Sequence, residues 1–167
     1  MYPRRAPSQV KLSTDHVFES FDMNENDCIF CKLIRGESEV TVIHEDQLCL
    51  ALMDIQPINP GHSLVVPRRH AASLSELDEE EGAQIFRIAQ RLAAALRTCG
   101  VKCDGVNFFL ADGVAAGQEV FHVHLHVFPR YSDDEFGLKL PSDYAQRPPR
   151  EELDEIAQRI RLSLAVD

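Results

Sequence analysis

Residues 112–130 read DGVAAGQEVFHVHLHVFPR, and the stretch from His122 to Phe128 decides how the rest of the chain is read. Along an extended strand, successive side chains point to opposite faces. His122, His124 and His126 therefore share one face, and Val123, Leu125 and Val127 take the other. The apolar set suits a core. The imidazole set is poor packing material, because each buried ring needs a partner for both of its nitrogens. Three histidines at i, i+2 and i+4 point to a functional site on a strand predicted over residues 121–128 and closed by Pro129.

Two chemistries fit such a row. Histidine is a common neutral metal ligand, but neighbours on one strand face stand about 6.5–7 Å apart at Cα, so three converge on one ion only with strain. Alternatively one ring attacks phosphorus while its neighbours hold phosphate oxygens. The preceding loop, DGVAAGQ, favours the second. Gly113 and Gly117 let its backbone approach a ligand, and its N–H groups could cradle a phosphate; a tight connection between strands is the plainer reading of the same loop.

Working outward, CIFCKLIR (residues 28–35) has helical spacing and Gly36 as a stop. Residues 40–45 and 48–53 suit an antiparallel pair. Pro57, Pro60 and Gly61 mark a loop, and residues 63–66 form a third strand stopped by Pro67. Asp78 with Glu81 forms a capping box for a helix whose face is Ile85, Ile88, Leu92 and Leu96 and whose stop is Gly100. Residues 106–110 are a fourth strand. After Tyr131 the chain turns polar, and residues 151–164 resume helical spacing through Leu153, Ile156, Ile160 and Leu164. Residues 1–26 read as a polar extension, with one amphipathic turn at Val17, Phe18 and Phe21. The fold class predicted is α+β, with a largely antiparallel five-stranded sheet and helices on one face.

The chain has 167 residues, enough for one substantial core. Its net charge of −10 makes a nucleic-acid backbone a poor partner. No apolar run is long enough to span a bilayer, and no apolar region follows Arg4 and Arg5 as a secretory signal requires, so the expected location is cytoplasmic. Five cysteines, an odd number, argue against a disulfide framework. Cys49 reads as core, and Cys99 and Cys103 as structural or incidental. Cys28-x-x-Cys31 alone is an ambiguous pair.

The segment from Asp112 to Arg130 resembles the signature of the histidine triad (HIT) family, in which alternating histidines follow a Gly-Gln turn. CIFCKLIRGE and CLALMDIQPINPGHSLVVPRRH resemble the family's N-terminal half in order and spacing. The likeness runs over residues 27–131 and is closest to the Hint branch of nucleoside phosphoramidases, with AAGQ and the terminal Pro-Arg shared with the fragile-histidine-triad branch of dinucleoside polyphosphate hydrolases. Residues 132–167 form a C-terminal extension with a helix. The resemblance implies a HIT-type fold, usually joined across a homodimer. It implies that His124 is the nucleophile, with His126 and His62 lining the phosphate site. Gly117, Gln118, Glu119 and Val120 would contact phosphate near it, Asp54 would bind ribose hydroxyls, and Ile29, Phe30, Leu33, Leu52 and Ile55 would line a pocket for the base, although plain core explains these apolar residues equally well. The expected substrate is a purine nucleotide or nucleotide conjugate, chiefly of adenosine, cleaved at a phosphorus–nitrogen or phosphoanhydride bond.

Two positions depart from the family pattern. Ala111 stands where Asn or Gln usually contacts phosphate. Glu119 stands where Ser or Thr is usual; a carboxylate there repels an anionic substrate unless protonated or paired, binds a cationic leaving amine, or faces solvent. The resemblance also implies a structural zinc site, because Cys28, Cys31, His70 and His122 match a Cys₂His₂ set found in some members, a closed tetrahedral arrangement with no open position. Other readings stay open: a nucleotidyl transferase or phosphorylase, against which His126 counts because related uridylyltransferases carry glutamine there; a nucleotide-binding scaffold with weak turnover, supported by Ala111 and Glu119; and a zinc-catalysed hydrolase using the triad as ligands.

Overall fold

The computed structural model describes residues 25–165. The turn expected at Val17, Phe18 and Phe21 lies outside them. The chain divides after Asp134 into a sheet-bearing unit and a second unit from Glu135 onward. In the first, α1 (Ile29–Ile34) precedes β1 (Val42–Glu45), β2 (Cys49–Met53), β3 (Ser63–Pro67), α2 (Glu79–Leu96), β4 (Gly105–Phe109) and β5 (Leu125–Arg130). Neighbouring strands pair antiparallel in the order β1-β2-β3-β5-β4. The α+β class and the five-stranded antiparallel sheet agree with the sequence reading. The second unit carries α3 (Arg150–Leu164), with Glu151 and Glu152 in its first turn and Arg161 in its last, an order that complements the helix dipole.

The expectation of helices on one face needs correction. Residues 49–52 of β2 and all of β3 are buried on both faces, so the middle of the sheet needs cover on each side. One core places Ile85, Ile88, Leu92 and Leu96 of α2 against Cys49, Ala51, Val65, Leu125 and Val127. The alternate residues Leu50, Leu52, Leu64 and Val66 pack with Cys28, Phe30 and Cys31 around α1. The strand period of two thus assigns the odd-numbered residues to α2 and the even-numbered ones to α1.

Helix ends follow their local chemistry. Gly36 (φ +74°) closes α1: its N–H donates to Leu33 O and the Glu37 N–H to Lys32 O, the paired bonds of a Schellman turn. The box at the start of α2 is present, with the Asp78 N–H donating to the Glu81 carboxylate at 3.0 Å. That helix ends at Leu96, short of Gly100, whose φ of +91° serves the turn beyond.

Proline was expected to stop two strands; β3 does end at Pro67, which it includes, whereas β5 runs past Pro129 to Arg130. Pro67 lies opposite Cys49 in β3. The Arg68 N–H donates to Leu48 O at 2.7 Å, so Pro67 occupies a non-hydrogen-bonded pair that needs no N–H toward β2. Pro129 lies opposite Val106, beyond Val127 where pairing with β3 ends. Strand β5 also starts later than predicted, at Leu125. Before it, the Val123 N–H donates to Ala71 O and the His122 N–H to Val120 O, outside the ladder.

Candidate active site and metal cluster

The alternation holds through this irregular lead-in. Val123, Leu125 and Val127 enter the α2 core, while the imidazoles gather on the α1 face. The Phe30 ring contacts His122 and His124, with centroids 5.7 and 5.0 Å away, and His124 meets His126 at 4.9 Å. His62, from the loop before β3, reaches the same place and meets His126 at 5.1 Å. The order of strands produces this meeting, because Leu64 of β3 and Phe109 of β4 both lie opposite His126.

Main-chain groups determine which nitrogen of each neutral ring carries its proton. His124 Nδ1 lies 2.7 Å from the His122 carbonyl, so Nδ1 holds the proton and donates it, and Nε2 keeps a bare lone pair. The Ile58 N–H donates to His62 Nδ1 at 3.1 Å. His62 therefore carries its proton on Nε2 and donates it to His126 Nδ1 at 2.9 Å, which leaves His126 with a proton on Nε2. The result is one ring with a free lone pair beside one with a free donor. Burial disfavours the charged form of each ring. It lowers His124 and His62 below the usual histidine range and takes His126 down to about 4, with neighbouring His124 and His62 adding to the last shift.

The Asp54 carboxylate stands 3.4 Å from His62 Nε2 and 3.7 Å from His126 Nδ1, and its other oxygen accepts the Gln56 N–H at 2.7 Å. Asp54, His62 and His126 are close enough to suggest a second set of metal ligands. The Ile58 N–H argues against that, because it forces the proton onto His62 Nε2, the atom a metal would need.

The loop before the triad is braced by one residue. Gln118 is 6 % exposed, and its side chain is consumed by the backbone. Its Oε1 accepts the Gly113 N–H at 2.7 Å and its Nε2 donates to Ala72 O and Val120 O. Gln118 shapes the loop instead of offering its side chain to a ligand. Gly117 adopts φ +86°, which favours glycine, and caps a short 3₁₀ turn over Val114–Ala116. Glu119, the next residue after Gln118, is exposed, and Val120 is half-buried. Ala111 is buried apolar filling.

The five apolar residues expected around a base separate. Phe30 and Leu52 are core, with Leu33 packed against them. Ile29 and Ile55 are exposed, Ile55 at 94 %. Phe109 was missed by the sequence reading. It is 46 % exposed on β4, with its ring 5.9 Å from His126. Only the register that puts it opposite His126 reveals it.

Cys28, Cys31, His70 and His122 form a separate cluster whose candidate donor atoms all lie within 4.8 Å of one another. His122 Nδ1 is 3.4 Å from Cys28 Sγ and 3.5 Å from Cys31 Sγ, and His70 Nδ1 is 3.3 Å from Cys31 Sγ. A tetrahedral ion with bonds of about 2.3 Å to sulfur and about 2.0–2.1 Å to nitrogen sets sulfur–nitrogen edges of about 3.5 Å, so the donors fit. His122 Nε2–H donates to Pro67 O at 2.9 Å, which turns Nδ1 toward the sulfurs, as an outer hydrogen bond does for a ligand histidine. Burial takes His122 down to about 4 and pushes the Cys31 thiol up to about 12, with Cys28 contributing; a bound cation would instead favour the thiolate. The three triad rings do not converge on a common ion. His122 Nδ1 faces the sulfurs, while His124 Nδ1 faces a carbonyl.

Comparisons with known proteins agree with this geometry. A plant protein, adenylylsulfatase HINT3 of Arabidopsis thaliana, is 38% identical over 111 residues, 66% of this chain and 55% of that protein. The crystal structure of a HIT-family protein from Bacillus subtilis superposes with TM-score 0.77 at 34% identity, covering 84% of this chain and 99% of that one. A zinc-bound histidine triad family protein from Mycobacterium smegmatis gives TM-score 0.65 at 35% identity, covering 85% and 99%. The model of the HIT domain matches residues 35–133, more than half of the chain, and the protein belongs to the HIT family.

Proposed function

We infer that this protein hydrolyses a nucleotide conjugate, cleaving a phosphorus–nitrogen or phosphoanhydride bond next to a nucleoside monophosphate, with adenosine as the preferred nucleoside. The observation that carries this reading is the 2.7 Å bond from His124 Nδ1 to the His122 carbonyl, which leaves Nε2 unprotonated beside His126. Attack by His124 Nε2 forms a phosphorus–nitrogen bond and breaks the bond to the leaving group, which takes a proton from solvent. Water then attacks phosphorus, restores the ring and returns a proton. His126 Nε2–H donates to a phosphoryl oxygen throughout, and His62 keeps that proton in place. The Gly117, Glu119 and Val120 backbone holds phosphate, Gln118 supporting it from beneath. Asp54 serves the ribose, and exposed Ile29 and Ile55 flank the base over the floor made by Leu33, Phe30 and Leu52. The name of the Arabidopsis relative, an adenylylsulfatase, supports the adenylyl preference.

The test is a single-turnover experiment. Mixing the protein with an adenosine phosphoramidate labelled in the nucleotide and quenching early should trap AMP on histidine as an acid-labile, base-stable adduct. Nucleotide binding with neither adduct nor AMP would mean a scaffold.

The Cys28, Cys31, His70 and His122 cluster holds zinc in this reading, and the zinc-bound mycobacterial relative supports it. The ion would be structural, with all four positions taken by protein. It would tie α1, the segment after β3 and the triad together. Residues 27–131 are the catalytic domain, residues 132–167 an extension and residues 1–26 another, in a cytoplasmic protein. No helix among the described residues is long and apolar enough to cross a membrane.

The protein also acts as a homodimer in this reading. Strand β4 is an open edge of the sheet, and beside it Phe86 and Phe108 line an apolar groove of about 370 Å³ with Ala93 and Ala94. An edge strand next to exposed aromatics suits a second copy. Phe108→Asp should convert a dimer to a monomer by light scattering. A wild-type monomer at micromolar concentration would remove this part of the proposal.

A further inference from the structure

We propose that a buried clamp outside the site, the Asn59 side chain held by Pro129 and Asp134, sets which nitrogen of His126 carries its proton, so that Asn59 and Asp134 are positioning residues for the reaction. This deepens the proposed hydrolysis and rests on it, because His126 Nε2–H is the donor which that reading gives to a phosphoryl oxygen.

The His62–His126 contact can run in two directions. A proton lying between His62 Nε2 and His126 Nδ1, 2.9 Å apart, can belong to either ring. If His62 holds it, neutral His126 carries its own proton on Nε2 and can donate to phosphate. If His126 holds it, Nε2 is a bare lone pair and repels a phosphoryl oxygen. Asp54 does not choose between them, because its carboxylate stands 3.4 Å from His62 Nε2 and 3.7 Å from His126 Nδ1 and favours a proton on both alike. The Ile58 N–H chooses, since it donates to His62 Nδ1 at 3.1 Å and keeps a proton off that atom.

That N–H stays aimed only while the turn over residues 58–62 keeps its shape and place. Inside the turn the His62 N–H donates to Asn59 O, and behind it the Asp54 N–H donates to His62 O, each at 3.0 Å. Neither bond ties the turn to the end of β5. The Asn59 side chain does. It is 4 % exposed, and its amide donates to Pro129 O at 2.8 Å and to Asp134 Oδ2 at 2.9 Å, so both of its hydrogens are used. Asp134 is buried and held in turn: Arg130 grips both of its oxygens, and the Tyr131 N–H donates to Oδ2 at 3.2 Å. Gly61 lets the turn sit close beneath, because at φ +101° a Cβ there would lie 3.0 Å from Leu96 Cδ2 and 3.4 Å from Pro129 Cγ. No step of the proposed reaction uses Asn59 or Asp134. Their place in the fold is to hold the turn that orients His62, and through His62 the proton on His126.

The experiment compares wild type, Asn59→Ala, Asn59→Ser and, as a destabilised control, Cys49→Ala. Ring-nitrogen NMR of the isotope-labelled protein locates the proton on each neutral imidazole, and steady-state kinetics on an adenosine phosphoramidate gives kcat and KM. Wild type should show His62 and His126 protonated at Nε2. In Asn59→Ala both should shift toward the Nδ1–H form while His124 keeps its proton on Nδ1. Its kcat should fall about tenfold or more, with KM within about twofold of wild type, as expected when a donor to the transition state is lost. Asn59→Ser, whose single hydroxyl donor cannot serve both acceptors, should change in the same direction and gives the reading if the alanine variant does not fold. Cys49→Ala should keep the wild-type tautomers and kcat. Unchanged tautomers in the Asn59 variants, or a loss of kcat without a change of tautomer, overturns the clamp and leaves the hydrolase reading intact. Absence of turnover and of a histidine adduct in wild type overturns the hydrolase reading and, with it, the part of the clamp in the reaction.

Discussion

His124→Ala abolishes turnover, lowering kcat by about a thousandfold or more, while nucleotide affinity changes only a few-fold. The expectation follows from the division of labour among the imidazoles. Of His62, His124 and His126, His124 alone has its unprotonated nitrogen at Nε2, because its Nδ1–H donates to the His122 carbonyl. Removing a covalent nucleophile leaves only positioning and electrostatic stabilisation. His126 cannot substitute, because the relay from Ile58 through His62 puts its proton on Nε2. In the proposed reading binding persists, because other groups hold phosphate and base. The pH dependence has a definite sign. Burial lowers His124 below the usual histidine range, so its nitrogen is already free at neutral pH. Activity is level there and falls as pH drops through the lowered value. Steady-state kinetics on wild type, with quenched-flow detection of the adduct, measures both effects. Full activity in His124→Ala would exclude the covalent route.

Cys28→Ala should empty the metal cluster and destabilise the fold far more than the lost atoms account for. Metal analysis should fall from about one zinc per chain to near zero. An ion bound only by the folded state, at about a thousand times its dissociation constant, contributes about 4 kcal/mol. Its loss should lower Tm by about 10 °C in a chain of this size. Cys49→Ala is the control: it too is fully buried, but in the α2 core, so it loses about 1–2 kcal/mol of packing and no metal. A chelator should lower the Tm of wild type and of Cys49→Ala, and not that of Cys28→Ala. Activity should also fall about tenfold, because the carbonyl that orients His124 belongs to His122, a proposed ligand. Zinc at full occupancy without Cys28 would refute the closed site.

The triad was legible because period-two alternation needs no knowledge of the rest of the fold. It separates His122, His124 and His126 from Val123, Leu125 and Val127 even where the backbone leaves the ladder before Leu125. The capping box of α2 and the glycine stop of α1 were legible for a similar reason, since each is satisfied by groups a few residues apart. The strand end at Pro129 was misread because a missing N–H matters only if a neighbouring strand requires it. The bracing of the loop by Gln118 was not legible, because family position says nothing about which acceptors surround its amide. Phe109 was invisible because its contact with His126 depends on register across two strands.

By itself, then, the sequence determined the α+β class, the alternating face of imidazoles and the four residues able to form a metal cluster. The first two follow from local periodicity and residue chemistry, and the third from the resemblance to the HIT family. Only the tertiary structure decided that helices cover both faces of the sheet and that three different main-chain groups orient the rings. It also placed His122 Nδ1 against the two sulfurs and left His124 with its unprotonated nitrogen at Nε2. Some of these outcomes depend on atoms distant in the chain: Pro67 O beside His122 and His126 Nδ1 beside His62 Nε2, whereas the bonds of Ile58 N–H to His62 and of His124 Nδ1–H to the His122 carbonyl are local. A hydrogen bond is directional and short-ranged, so the proton positions on His122 and His126 are fixed only once distant strands have come together.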